Sequence, residues 1–472
     1  MTKAVRIVAL IMALLMGLSA IGMVAVYISA AEVYDGSSVS ASLNGSGTEA
    51  DPYLIANGAD LAYFAANPVD GASYKLTNDI VWSSYVKGAE VPAASNWTPV
   101  VFKGTFDGNG KTVSGLVTIS ETNGTAFFAW AEGTVKNLTV KDSYFKGTNR
   151  VAGIVGQIED FADEQKDTDL VRSLVIENCV NYAEVVCTYK NGYSGGILGG
   201  ANRAKQIDLT ISGCVNYGTV TSTLEKDNSF IGGITGQLNG RHILVENCAN
   251  YGDVVSARPG SGGIIAQMGG SSMTAEDGTY VKAVNCINYG AVTADRICGG
   301  ITGRIYANGT IENCVNVGTV TANVTGKNAA QYGAIVGAIV DGKITNCVYL
   351  DGCATNSGEP ETASGAIVDG AKAQADINSD ATVTALGDAY TLADGILTLK
   401  VVATAGKVES AEPEVTEPVV TEPVVTEPAE TTKPEETKPA DPVPTGDASI
   451  IFIVLAIISL GGVAVVAKRR EN

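Results

Sequence analysis

One histidine, three tryptophans and nine phenylalanines in 472 residues leave little of the usual catalytic and metal-binding chemistry. With His242 the only histidine, neither a histidine-rich metal site nor an HExxH peptidase can be built. A triad through His242 would need a nucleophile elbow, and Arg241-His242-Ile243 has none beside it. Lys and Arg number 31 against 50 Asp and Glu, a net charge of −19. Phosphate binding needs a basic footprint, so no nucleic-acid partner is expected. Cysteine is absent before Cys179, which excludes a lipid-modified cysteine as an N-terminal anchor. Proline is scarce until residues 409–447, which hold eight of the 14.

The chain does have a repeat. Cys179, Cys214, Cys248, Cys286, Cys314 and Cys347 fall in one local context, 35, 34, 38, 28 and 33 residues apart. Between them recur Gly195-Gly196-Ile197, Gly232-Gly233-Ile234, Gly262-Gly263-Ile264, Gly299-Gly300-Ile301 and Gly333-Ala334-Ile335. A period in this range means stacked units, not one globular core. Three positions before each cysteine stand Ile176, Ile211, Val245, Ala283, Ile311 and Ile344. Six positions after it stand Val185, Val220, Val254, Val292 and Val320. These short β-branched segments alternate with polar residues and are punctuated by glycine, which reads as strand and turn. Each repeat is therefore expected to be one coil of a right-handed parallel β-helix, with three short strands and two bends. Stacking places equivalent residues about 4.8 Å apart, so side chains form ladders. Asn178, Asn247, Asn285, Asn313 and Asn346 are expected to form an amide ladder at one bend.

The Gly-Gly-Ile-x-Gly and Asn-Cys-x-Asn-x-Gly-x-Val pattern resembles the GLUG-motif repeats of bacterial surface proteins. Gly45-Ser46-Gly47-Thr48 with Asp51-Pro52-Tyr53-Leu54-Ile55, and Gly104 to Thr112, are similar to the start of such domains. The resemblance covers roughly residues 43–400 and implies an architecture; on activity it is nearly silent. Relatives with a zinc metallopeptidase carry it in a part that nothing here matches.

The rest of the chain reads as an exported protein. Lys3 and Arg6 precede an apolar run, Ile7 to Ile28, and Ser29-Ala30-Ala31 suits cleavage after Ala31, giving a signal peptide over 1–31. The run is long enough that an uncleaved anchor stays open as an alternative. Residues 32–133 read as an N-terminal cap with the first coils, and Asn57 to Ala66 as a short helix with Leu61, Phe64 and Ala65 on one face. Repeats occupy 134–350 and a C-terminal cap 351–408. Residues 409–447 repeat Val-Thr-Glu-Pro, a composition that stays extended as a stalk. In 448–472, Ile450 to Ala467 is uncharged and is followed by Lys468-Arg469-Arg470, a transmembrane anchor with its basic end in the cytoplasm. Pro442-Val443-Pro444-Thr445-Gly446 resembles a degenerate sortase sorting signal, with Val443 where the family has proline. That likeness implies Thr445 and Gly446 as the sorting site, with sortase and peptidoglycan as partners and the outer face of a Gram-positive bacterium as the location.

Candidate functional residues are few. No cofactor or metal is expected. Asp376-Ile377-Asn378-Ser379-Asp380 looks like the start of a calcium loop, but Ala381 replaces the turn glycine and Gly387 the twelfth-position acid. The acidic stretch Glu159 to Asp169 could hold a cation or be a solvated insertion. Trp97 could stack on carbohydrate or pack in the cap. The six in-register cysteines point the same way, so an inward column is expected instead of disulfides, with Cys347 and Cys353 the nearest candidate pair. Tyr182, Tyr217, Tyr251 and Tyr289 follow the repeated asparagine at one corner. They either seal that corner or form a stripe whose flat faces and hydroxyls bind an extracellular glycan or protein ligand. The chain thus reads as a displayed adhesin or structural surface protein, not an enzyme. The alternative is an anchored polysaccharide-degrading lyase or glycoside hydrolase, whose carboxylates nothing here singles out.

Overall fold

The structure, a computed structural model, describes residues 32–404 except residues 35, 159–169, 189–191, 203–205, 224–228, 258–259, 271–277, 307, 324–330 and 357–370. All of these belong to one compact unit, Met1–Glu409; the second, Ser410–Asn472, lies outside them. The signal segment, acidic loop, stalk, sorting site and apolar C-terminal run therefore fall outside the described residues. No described helix is long and apolar enough to cross a membrane.

The fold is a parallel β-helix. Its strands form three parallel sheets of 24, eight and seven strands among the described residues. One full coil runs Ile207–Ser212, Val215–Asn216, Val220–Ser222, Phe230–Gly232 and Thr235–Asn239. That is five strands per coil instead of the expected three. The long side is broken twice, once at the corner before each cysteine and once after the Gly-Gly-Ile strand. At that corner Asn178, Asn247, Asn285, Asn313 and Asn346 adopt φ of 50–53°. Asparagine tolerates this left-handed region better than most residues. Gly213 takes the same place in the one coil without asparagine, at φ 64°.

Register follows the sequence columns. Ile176 pairs with Ile211, Ile211 with Val245, Val245 with Ala283, Ala283 with Ile311 and Ile311 with Ile344. Val185, Val220, Val254, Val292 and Val320 pair likewise on the second sheet. Nearly all of these side chains are wholly buried and belong to one continuous interior cluster. Each fully buried Val, Ile or Leu contributes about 1.5–3 kcal/mol relative to exposure. The solenoid holds together through this repeated column more than through any single contact.

Parallel pairing begins at Tyr53–Ile55 with Ala72–Leu76, inside the segment read as cap and first coils. The expected helix is present at Gly58–Ala66, and the Asn57 side chain caps it by accepting from the Asp60 amide at 3.0 Å. Leu61 and Phe64 are buried; Ala65 is half-buried. The Phe64 ring meets Tyr74, Phe102, Phe106 and Phe128, closing the first coils with aromatic area. At the other end the parallel sheet runs past Leu350 to Ala371–Gln374, which pairs with Cys347–Leu350. A helix, Asp380–Leu386, and an antiparallel hairpin, Tyr390–Ala393 with Ile396–Leu399, follow. Asp394 and Gly395, both at positive φ, make the two-residue turn that such a hairpin favours.

Candidate functional site

Alternation along a strand explains the most repetitive corner. In Cys-Val-Asn-Tyr the cysteine and asparagine share one side and the valine and tyrosine the other. Inward, the six cysteines stack. The Cys179 amide donates to Cys214 Sγ and the Cys286 amide to Cys314 Sγ, both at 3.4 Å. All nine cysteines are buried. Burial is the foremost influence on Cys179, Cys248 and Cys314 and drives these thiols well above the usual thiol range. A thiol without water or a neighbouring cation stays protonated, so we take the whole column as inert packing. The candidate pair does not meet as a bridge. Cys347 ends the column, while Cys353 Sγ accepts from Asn316 Nδ2 at 3.4 Å.

Beside the cysteines runs a second ladder that the sequence reading missed. Asn181, Asn216, Asn250, Asn288 and Asn316 are each 0% exposed. Each Nδ2 donates to the Oδ1 of the next at 2.8 Å. The same nitrogen also reaches a carbonyl two residues on, such as Gly218 O from Asn216 at 2.8 Å. The expected corner ladder exists as well, more exposed and less regular: Asn346 Nδ2 to Asn313 Oδ1 at 2.7 Å, Asn285 to Asn247 at 3.3 Å and Asn178 to Asn137 at 3.4 Å. The signal for the buried ladder was the fixed two-residue step from cysteine, which keeps Asn on the cysteine's side.

Outward, Tyr182, Tyr217, Tyr251 and Tyr289 stack with ring centroids 4.6, 4.8 and 4.6 Å apart and planes within 6–11°. Both faces of Tyr217 and Tyr251 are thus occupied by neighbouring rings. Flat faces offered to sugar rings, one of the two expectations, do not describe these two. The adjoining column of Val215, Ala249, Ile287, Val315 and Val348 is buried, although it points away from the coil interior. What covers it is the C-terminal segment: Ile377, Leu386, Tyr390, Leu397 and Leu399 pack on that column and against Tyr217, Tyr251 and Tyr289. Tyr289 donates to the Leu397 carbonyl, and Tyr251 and Tyr289 share hydrogen bonds with Thr398. Burial raises the phenols of Tyr182, Tyr217, Tyr251 and Tyr289; neighbouring tyrosines add to the rise at Tyr217 and Tyr289.

The remaining candidates are quickly placed. Trp97 is 2% exposed, stacks on Phe127 and donates to its carbonyl at 3.1 Å, so it packs in the cap and presents no sugar platform. In the calcium-like segment the Asn378 amide donates to Asp376 Oδ1 at 3.1 Å and Asn378 Oδ1 accepts from Leu397 at 2.9 Å. Ser379 caps the helix that follows. Two of the would-be ligand groups therefore make turn and hairpin contacts. Among the described residues no three His, Cys, Asp or Glu side chains gather as a metal site requires.

One polar cluster spans neighbouring coils and was not foreseen. Asp208 takes the guanidinium of Arg241 through Nε at 2.9 Å and through Nη2, and Nδ1 of His242 at 3.2 Å. The Arg241 bond holds the Asp208 carboxyl below its ordinary range. His242 in turn stacks on Tyr280. An acid held ionised by two partners cannot donate a proton near neutrality, and among the described residues no second carboxylate belongs to this cluster.

No protein-family model matches the chain. Over 130 residues it is 32% identical to Halomucin of Haloquadratum walsbyi, a stretch that is 26% of this chain and 1% of that protein. The chain thus spans a small fraction of the relative it matches. A solved structure from Bacteroides ovatus, described as a candidate immunoglobulin A1 protease, aligns with 76% of this chain and 94% of its own at a TM-score of 0.49 and 18% identity.

Proposed function

We propose that this is a displayed binding protein, an adhesin or structural surface component, whose solenoid carries variable connections away from the cell. The observation behind this reading is the fate of the repeated residues. Cysteine, asparagine, isoleucine and valine build the interior, and the tyrosines lie largely beneath the C-terminal segment. What recurs builds the scaffold. What varies is the connections, which change the repeat length from 28 to 38 residues. Recognition of a glycan or of a host or neighbouring-cell protein belongs with those connections, and no catalytic step is part of the proposal. The likeness to Halomucin, short as it is, supports a place outside the cell.

The finer points belong to the same proposal. They are right-handed winding, GLUG-type repeats, export by the N-terminal signal, and attachment through 448–472 with or without sortase cleavage at Thr445-Gly446. Incubating the chain with a panel of polysaccharides, immobilised and in solution, tests the central claim. Retention on a glycan or on a cell surface without new reducing ends or unsaturated sugars is the expected result. Appearance of either product would replace this reading with the anchored polysaccharide-degrading enzyme.

A further inference from the structure

The covered face has a physical origin in the sequence. Because valine and tyrosine both point outward in Cys-Val-Asn-Tyr, the solenoid carries two adjacent apolar columns on its outside, from Val180 to Val348 and from Tyr182 to Val317. A stripe of that length does not stay bare in water. Toward the N-terminus it ends where Thr139 takes the place of Val180.

Residues 376–404 run back along this stripe. Their contacts step from coil to coil in reverse order. Asn346 donates to the Ala385 carbonyl at 2.8 Å. Tyr390 donates to Asn313 O at 2.7 Å and Cys286 O at 3.2 Å. Tyr289 donates to Leu397 O, and Val401 reaches the coil of Gly213. The described residues therefore end at Thr404, shortly after Val401 has reached the coil of Gly213, several coils back from where the parallel sheet ends at Gln374.

The segment is also separable. Its apolar residues form a cluster with the outward columns and contribute none to the coil interior. Its hairpin is a two-stranded sheet of its own, joined to none of the three coil sheets. Of its two helices, Asp380–Leu386 and Lys400–Thr404, the first carries its own cap at Ser379. Removing it breaks no rung of the solenoid. Only the root, Ala371–Gln374, pairs with a coil strand.

We propose that residues 376–404 are a force-released latch: tension on the chain beyond Thr404 peels them from the tyrosine stripe and leaves the coils folded. The geometry sets the order of events. A pull at Thr404 enters at the end farthest from the root, so the contacts of Val401, Leu397, Tyr390 and Leu386 break one coil at a time instead of together. The coil strands are held by a continuous ladder of backbone bonds and a shared apolar core, and the segment has neither of these with the coils. The latch is thus the weaker element in series, as low-stability segments at the edge of a fold are. Peeling pays out its slack and uncovers the hydroxyls and apolar column beneath. This rests on the reading of 409–472 as stalk and anchor only for the source of the tension.

Pulling the full chain from both ends in an optical trap tests the latch without reference to the anchor. The expected record has a first, reversible step of about 100 Å, the extended length of some 29 residues. Coil ruptures follow at higher force. Leu397→Asp should remove or weaken that first step and leave the later ruptures where they were. Should the variant fold poorly, hydrogen exchange of the unaltered chain at zero load supplies the second measurement. Amides of 376–404 should exchange together and at least about tenfold faster than those of the Ile211 or Ile311 strands, a gap of one decade in opening equilibrium. A single rupture that releases latch and coils together, or exchange of the segment at the coil rate, overturns the proposal. Whether a chain truncated before Asp447 is released from cells is a separate measurement; retention there would sink the anchor and leave the latch steps unchanged.

Discussion

The hydroxyl of Tyr390 donates to the carbonyl of Asn313 at 2.7 Å across 77 residues of sequence. Asn313 is a left-handed corner residue, φ 52°, and its carbonyl faces out of the coil toward the returning segment. Tyr390 itself is wholly buried and its phenol is pushed well up by that burial. Tyr390→Phe keeps the ring and removes the donor, leaving the Asn313 carbonyl without that bond. The expected cost is about 1–3 kcal/mol. It should appear as faster hydrogen exchange over 376–404, with the melting of the coils nearly unchanged. An equal loss in both regions would mean that this segment and the coils fold as one.

Ile311 lies between Ala283 and Ile344 in the inward column and is 0% exposed. Ile311→Asp puts an unpaired carboxylate into a continuous apolar stack and should cost several kcal/mol. Ile311→Val deletes one methyl group and should cost about 0.5–1.5 kcal/mol. Thermal melts followed by far-ultraviolet circular dichroism separate the two. If the aspartate variant melts like the parent, the column does not face inward.

How far the sequence foretold this can be judged at single positions. Ile176, Ile211 and their successors were legible because period-two alternation and a repeat in register leave one choice of face. The corner asparagines were legible because few residues besides Asn and Gly accept their φ, and Gly213 substitutes where Asn is missing. The buried amide ladder escaped because asparagine is ordinarily a surface residue; only the step from cysteine betrays its side. The cover over Tyr217, Tyr251 and Tyr289 escaped for a different reason. Nothing local in 376–404 names its seat, which is set by the length and apolarity of a stripe formed only when distant repeats stack. Asp208, Arg241 and His242 meet across two coils through the same stacking, 33 residues apart from Asp208 to Arg241. The connections assigned to recognition vary in length and have no column to read.

The two asparagine ladders should respond oppositely to mutation. Asn247 occupies a left-handed corner that Gly213 fills in the preceding coil, so Asn247→Gly should change stability by less than about 1 kcal/mol. Asn250, three residues on, is buried and bonded to Asn216, Asn288 and the Gly252 carbonyl. Asn250→Ala leaves those groups unpaired inside the coil at about 1–3 kcal/mol each, so a loss of several kcal/mol is expected. Denaturant titration of both variants is the measurement. Equal losses would show that the buried amides do not act as a connected ladder.

Alkali should unfold this protein, and the sign of the effect follows from the shifts. Burial raises the phenols of Tyr217, Tyr251, Tyr289 and Tyr390 above an unfolded value of about 10. Burial also pushes Cys298 up to about 12 and Cys353 up to about 11, from an unfolded thiol value near 8.5. A group whose proton is held more tightly in the folded state stabilises that state fully below the unfolded pKa. Above that value the unfolded chain sheds protons that the folded chain keeps, and stability falls with each further pH unit. The decline should therefore begin near pH 8.5 with the thiols and steepen above about pH 10 as the phenols join. Tyrosinate absorbance and circular dichroism, followed together through an alkaline titration, give the check. The stacked and covered tyrosines should ionise only as the dichroism collapses. Should every tyrosine titrate near 10 with the dichroism intact, the phenols under the C-terminal segment would be open to water and the packing described for Tyr289 and Tyr390 would be wrong.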